Sequence, residues 1–85
     1  MSEMKEPVRL GFVGIVIEER DSSALVNRVV GQFQSIVTGR IGVPDHETGR
    51  AVIGLLVKGS ATEVGKLTGK LGNIPGVSVK SVLTR

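Results

Sequence analysis

An α+β fold is predicted here: one four-stranded antiparallel sheet with two helices on one face, the ferredoxin-like βαββαβ arrangement. Three features of the sequence predict it. Strand-like and helix-like stretches follow in the order strand, helix, strand, strand, helix, strand. The 85 residues have room for one domain and one core. Two of the strand-like stretches are apolar on both faces, so one layer of helices cannot shield the whole sheet.

Residues 1–7 are polar, lack an apolar signal core and are read as a disordered arm ahead of a single domain over 8–85. The first strand runs from Val8 to Ile17 and ends near Glu18-Glu19. Along it Val8, Leu10, Phe12 and Val16 point one way, and Val13, Ile15 and Ile17 the other. A helix start follows at Asp21-Ser22-Ser23, any of which could cap the first amides. Leu25, Val26, Val29, Val30, Phe33, Ile36 and Val37 then recur at helical spacing. Gly31 inside that stretch costs about 1 kcal/mol relative to alanine, through close packing on the sheet or as slack without purpose.

Thr38–Pro44 reads as a short strand, weakened by two glycines, with Pro44 suited to an end or an edge. Asp45–Arg50 is a polar turn. The second two-faced strand covers Ala51–Val57 and ends at Lys58-Gly59. Ala51, Ile53, Leu55 and Val57 share one face, and Val52 and Leu56 the opposite one. Ser60-Ala61-Thr62-Glu63 is a capping box, and the helix behind it presents Val64, Leu67 and Leu71. Gly72 is its candidate C-terminal cap, and Pro75 prevents continuation. Gly76–Val82 is a last, half-polar strand.

Val13, Ile15, Ile17, Val52 and Leu56 are assigned to the face that the helices leave bare. Fully burying five such groups is worth roughly 8–15 kcal/mol, as much as the net stability of a domain. A homo-oligomer, dimer or tetramer, is therefore expected, with these five residues in its interface.

Composition narrows the function. The chain has no cysteine, so it has neither disulfides nor thiolate metal ligands, and no apolar run long enough to span a membrane. A cytoplasmic protein without membrane attachment is expected. The formal charge is +3, but residues 49–85 carry six bases against Glu63 alone. A basic half attracts anions or nucleic acid. Only Phe12 and Phe33 are aromatic, both at apolar positions, which leaves no stacking platform for bases and argues against nucleic acid.

No motif signals catalysis. Gly-x-x-Gly occurs three times, but none lies between two helices as an RNA-clamping loop requires. The phosphate-loop pattern fails around Thr68-Gly69-Lys70-Leu71, since Val64 and Leu71 stand where glycine and Ser/Thr are needed. His46 is the single histidine, in an acidic turn that reads as solvated, so no metal and no cofactor is expected. No serine sits in a nucleophile context, and no catalytic residue is assigned.

Arg40 stands between Gly39 and Gly42, where small neighbours leave the backbone approachable. Its guanidinium could clamp a carboxylate or phosphate, pair across an interface, or only meet water. Asn27 could touch the Gly39–Pro44 strand, a ligand or water. The candidate ligand site therefore comprises Glu18 and Asp21 after the first strand, Asn27 early in the first helix, and Gly39, Arg40, Gly42 and Pro44 on the following strand. An anion there would be held by Arg40 and by amides near a helix N-terminus.

Arg9–Glu18 (RLGFVGIVIE), Gly39–Pro44 (GRIGVP) and Leu67–Lys80 (LTGKLGNIPGVSVK) resemble small bacterial proteins known as iron-only hydrogenase system regulators. The resemblance runs from Val8 to Val82, and the last stretch is its most specific part. These proteins are similar in fold to ACT domains and to the C-terminal domain of nickel-responsive repressors. The resemblance implies an ACT-like oligomer with a regulatory role, and ACT relatives bind small effectors at subunit interfaces. Nickel sensing does not transfer to a chain with one histidine and no cysteine. Nor is a DNA-reading module found beside the one domain.

The leading expectation is a non-enzymatic regulatory module that binds a small-molecule effector or a protein partner at a subunit interface. Two rivals remain: a nucleic-acid module using the basic half, and a small enzyme with an interface active site.

Overall fold

Five elements begin and end within a residue of the sequence expectation. The computed structural model describes residues 6–85. It contains β1 (Arg9–Ile17), a 3-10 turn (Arg20–Ser22), α1 (Ser23–Gln32), β2 (Val37–Pro44), β3 (Ala51–Gly59), α2 (Ala61–Gly72) and β4 (Val77–Leu83). The strands form one antiparallel sheet in the order β2-β3-β1-β4. Each helix thus connects two parallel strands with a third between them, the ferredoxin-like split βαβ topology. The first five residues of the expected N-terminal arm lie outside the described residues. Glu6 Oε1 accepts a hydrogen bond from the Thr62 amide at 3.3 Å, in the first turn of α2.

β1 lies in the centre, with Val13 opposite Leu55, Ile15 opposite Ile53 and Ile17 opposite Ala51 on β3. Directly opposed residues share a face. Val13, Ile15, Ile17, Ile53, Leu55 and Val57 therefore form one continuous apolar layer, and all six are buried. Val26 and Val30 of α1 and Val64, Leu67 and Leu71 of α2 pack onto it, joined by Ile36 and Ile74 from the loops.

The same register corrects the interface assignment. Val13, Ile15 and Ile17 face the helices and are buried within the single subunit, so they cannot meet a partner. Only Val52 and Leu56 of the five lie on the uncovered face. They share it with Leu10, Phe12, Val16, Ile41, Val43 and Val82, all exposed. The physical reason is continuity. The uncovered face is interrupted by the Gly14–Gly54 pair and by Lys58 and Lys80, whereas the facing rows Val13-Ile15-Ile17 of β1 and Ala51-Ile53-Leu55-Val57 of β3 are apolar without a break. Phe12 fills the central gap. A methyl group on Gly54 would stand 2.7 Å from its ring carbons Cε1 and Cζ, so the ring lies across bare backbone.

Helix α1 is shorter than its spacing predicts. Phe33 leaves the helix, the Ile36 and Val37 amides both donate to the Phe33 carbonyl, and Val37 starts β2. Ile36 is still buried, so its apolar spacing reflects the core and not the helix. No serine side chain caps α1. Instead the Ser22 hydroxyl donates to the Pro75 carbonyl at 2.5 Å and ties the helix start to the α2–β4 loop. The capping box of α2 forms in both directions: Ser60 Oγ accepts from the Glu63 amide at 3.1 Å, and Glu63 Oε1 from the Ser60 amide at 2.9 Å. Gly72 is the last helical residue and the C-cap passes to Asn73. Lys70 leans toward α1, with Nζ 5.6 Å from the Phe33 ring centre and 3.4 Å from Gln32 Oε1.

Gly31 is exposed and a Cβ there meets no atom within 4 Å, which removes close packing as its explanation; Gly65 in α2 is alike. Gly31→Ala and Gly65→Ala should each stabilise the domain by about 0.5–1 kcal/mol, read as a rise in denaturation midpoint. Ser60→Ala should cost about 1 kcal/mol, roughly 4–8 °C in melting temperature for a domain of this size.

Candidate ligand-binding cleft

The hairpin joining β2 and β3 decides where Arg40 points. The Asp45 amide donates to the Arg50 carbonyl at 2.7 Å and the Gly49 amide to the Asp45 carbonyl at 2.9 Å. Thr48 Oγ1 donates to Asp45 Oδ2 at 2.6 Å and accepts from the Arg50 amide at 3.3 Å. This turn sets Pro44 against Ala51, Gly42 against Ile53 and Arg40 against Leu55. Arg40 therefore lies on the helix side of the edge strand.

Between β2 and the first turns of α1 is a cleft of about 500 Å³. Its walls include Ile17 and Ile53 from the core, Ser23 and Asn27 from α1, and Arg40, Gly42, Val43 and Pro44 from β2. Among the described residues, Arg40 is the only charged one lining it. Its Nη2 donates to Asn27 Oδ1 at 2.6 Å, which holds the guanidinium at the cleft and leaves further N–H donors for an oxyanion. The amides of Ser22 and Ser23 donate to the Glu19 and Arg20 carbonyls inside the 3-10 turn. They are not the free anion donors that a helix N-terminus would offer, and the arginine is the main one.

Of the seven candidate residues, Asn27, Arg40, Gly42 and Pro44 meet in this cleft. Gly39 belongs to the opposite face, where it pairs with Leu56. Glu18 lies in a second cleft of about 420 Å³ with Val16, Val43, Arg50 and Val52, and its Oε1 is 2.8 Å from Arg50 Nε. Asp21 is exposed in the 3-10 turn and lines neither cleft. Ser23, a candidate helix cap in the sequence, and Ala51 join the cleft without being among the seven candidates. Ala51 could be found only once the hairpin register was known, because alternation then puts it on the side of Arg40. His46 lies in a third hollow with Arg20 and Arg50. Among the described residues no three His, Cys, Asp or Glu side chains gather in a way that could hold a metal ion.

Residues 9–81 match the model of the TM1266-like family, described as "iron-only hydrogenase system regulator, putative". No curated protein matches the chain significantly. Among solved structures, the chain is similar to the uncharacterized protein TM1266 from Thermotoga maritima, with 35% identity and a TM-score of 0.86, over 93% of this chain and 100% of that one. The C-terminal domain of the MgtC protein from Mycobacterium tuberculosis shares the fold at 14% identity and a TM-score of 0.69, over 96% and 94%. So does a PII-like nitrogen regulatory protein from Thiomonas intermedia K12, bound to ADP, AMP and bicarbonate, at 15% identity and a TM-score of 0.53, over 93% and 94%.

Arg40→Gln should lower folding stability by no more than about 1 kcal/mol, since it removes one solvent-exposed hydrogen bond. Ile53→Ala, in the buried wall of the same cleft, should cost about 2–5 kcal/mol. Urea denaturation of the two variants distinguishes a residue kept for binding from one kept for packing.

Proposed function

Because the chain belongs to the TM1266-like family of iron-only hydrogenase system regulators, we propose that it is a non-enzymatic module that self-associates across its open sheet face and binds a small anion in the Asn27–Arg40 cleft. One observation carries this reading: eight large apolar side chains, Leu10, Phe12, Val16, Ile41, Val43, Val52, Leu56 and Val82, are exposed on the face opposite the helices. Each retains roughly half of its surface, so covering them returns about 1 kcal/mol apiece, a sum comparable with the stability of the domain. A second copy carries the same patch and is the simplest cover, through an isologous contact.

The cleft and the open face are the two sides of one strand. Gly42 and Pro44 line the cleft, while Ile41 and Val43 sit on the open face, and Val43 also reaches the cleft wall. An anion on Arg40 would thus touch the strand that carries part of the contact surface. It shifts assembly to the extent that its affinity differs between the assembled and free states. The architecture accommodates anionic effectors, since a fold neighbour holds nucleotides and bicarbonate. Family membership supports an iron-only hydrogenase system as the process regulated.

Sedimentation at micromolar concentration should give a dimer or tetramer, and Leu56→Asp should give a folded monomer with unchanged circular dichroism. A wild-type chain that sediments as one subunit ends the assembly reading. A melting-temperature panel of amino acids, nucleotides and simple anions should give at least one rise that Arg40→Gln abolishes, and a flat panel ends the sensing reading.

A further inference from the structure

The corner at Arg40 continues past the first cleft. The third hollow, of about 290 Å³, adjoins it, and the two share Ser23, Pro44 and Ala51 in their walls. The far wall carries Arg20. Gly49 has φ +77°, and a methyl group built on it would stand 3.4 Å from Arg20 Nη2 and 3.5 Å from Nε. The turn demands glycine for its backbone, and the guanidinium rests on the surface that glycine leaves bare. Asp45 lines the same hollow with His46 and Arg50 and accepts from the Thr48 hydroxyl at 2.6 Å, while Glu18 lies 2.8 Å from Arg50 Nε. Among the described residues, neither Arg20 nor Arg40 forms an ion pair.

Two guanidiniums thus stand in adjoining hollows whose shared wall, Ser23, Pro44 and Ala51, is uncharged. A ligand with one anionic group would meet one and leave the other to water. We infer that the ligand of this corner carries two anionic groups, one on Arg40 and one on Arg20, with its body across Ser23 and Pro44. The inference rests on the reading of the Arg40 cleft as a ligand site and narrows it to a class, the bis-anions. Phosphates and carboxylates both fit, because each offers a guanidinium two oxygens in one plane.

Calorimetric titration can test this with pyrophosphate, succinate and adipate as bis-anions of increasing span, against phosphate and acetate. At least one bis-anion should bind the wild-type protein about tenfold or more tighter than the single anion of its kind, the worth of one further charge-assisted contact. Arg20→Gln should remove that advantage, so that paired and single anions bind alike. Arg20→Lys should keep part of it, and Arg40→Gln should lose both. Equal affinity for single and paired anions, or a preference that survives Arg20→Gln, overturns this inference and leaves the cleft standing. If no probe binds the wild-type protein, the cleft reading falls, and the paired-anion ligand falls with it.

Discussion

The pairing of β1 with β3 is the constraint on which the molecule depends. Val13 against Leu55 and Ile15 against Ile53 put the bulkiest unbroken layer of the sheet on one face, where two short amphipathic helices can cover it. A slip of one residue would turn every side chain of β1 to the other side and set Gly14 and Phe12 among the wrong neighbours. The two strands are long enough, at nine residues each, to fix this register through the whole width of the core. The location of the core, the open face and the edge strands all follow from it.

The open face is a consequence of the same pairing and not a separate design. Opposed glycines at Gly14 and Gly54 leave the middle of the sheet low, and the Phe12 ring lies over Gly54. The surface carries eight large apolar side chains, with Lys58, Lys80 and, at one end, the Glu18–Arg50 pair among its charged points. Apolar area of this extent on a small domain favours contact with another surface, and a regulator can make use of a contact that forms and dissolves.

The edge strand β2 links the proposed ligand cleft to the open apolar face. Among the described residues its outer backbone edge is unpaired, and its register is set by one polar turn. A strand held on one side only is the element most easily displaced by a ligand. Arg40 and Asn27 give the helix side of that strand a single positive charge in a fixed place, while Ile41 and Val43 give the other side part of the apolar patch.

Much of this was legible in the residues. Element order, the Ser60–Glu63 capping box, the polar hairpin turn and the presence of more apolar strand surface than two helices can cover all follow from local patterns, as does the prominence of Arg40 among small neighbours. Periodicity marks the residues that alternate along a strand, but it is blind to which set faces the helices. That depends on a pairing between residues some forty positions apart, which is why alternation alone puts Val13, Ile15 and Ile17 on the wrong side. The helical spacing of Ile36 and Val37 was likewise a coincidence of burial, because a loop side chain tucked under the sheet needs no helix to be apolar. Local chemistry determined which elements form and which side chains are apt for a ligand. The tertiary structure alone decided which of them meet, because Asn27 reaches Arg40 only after β3 has been inserted between β1 and β2.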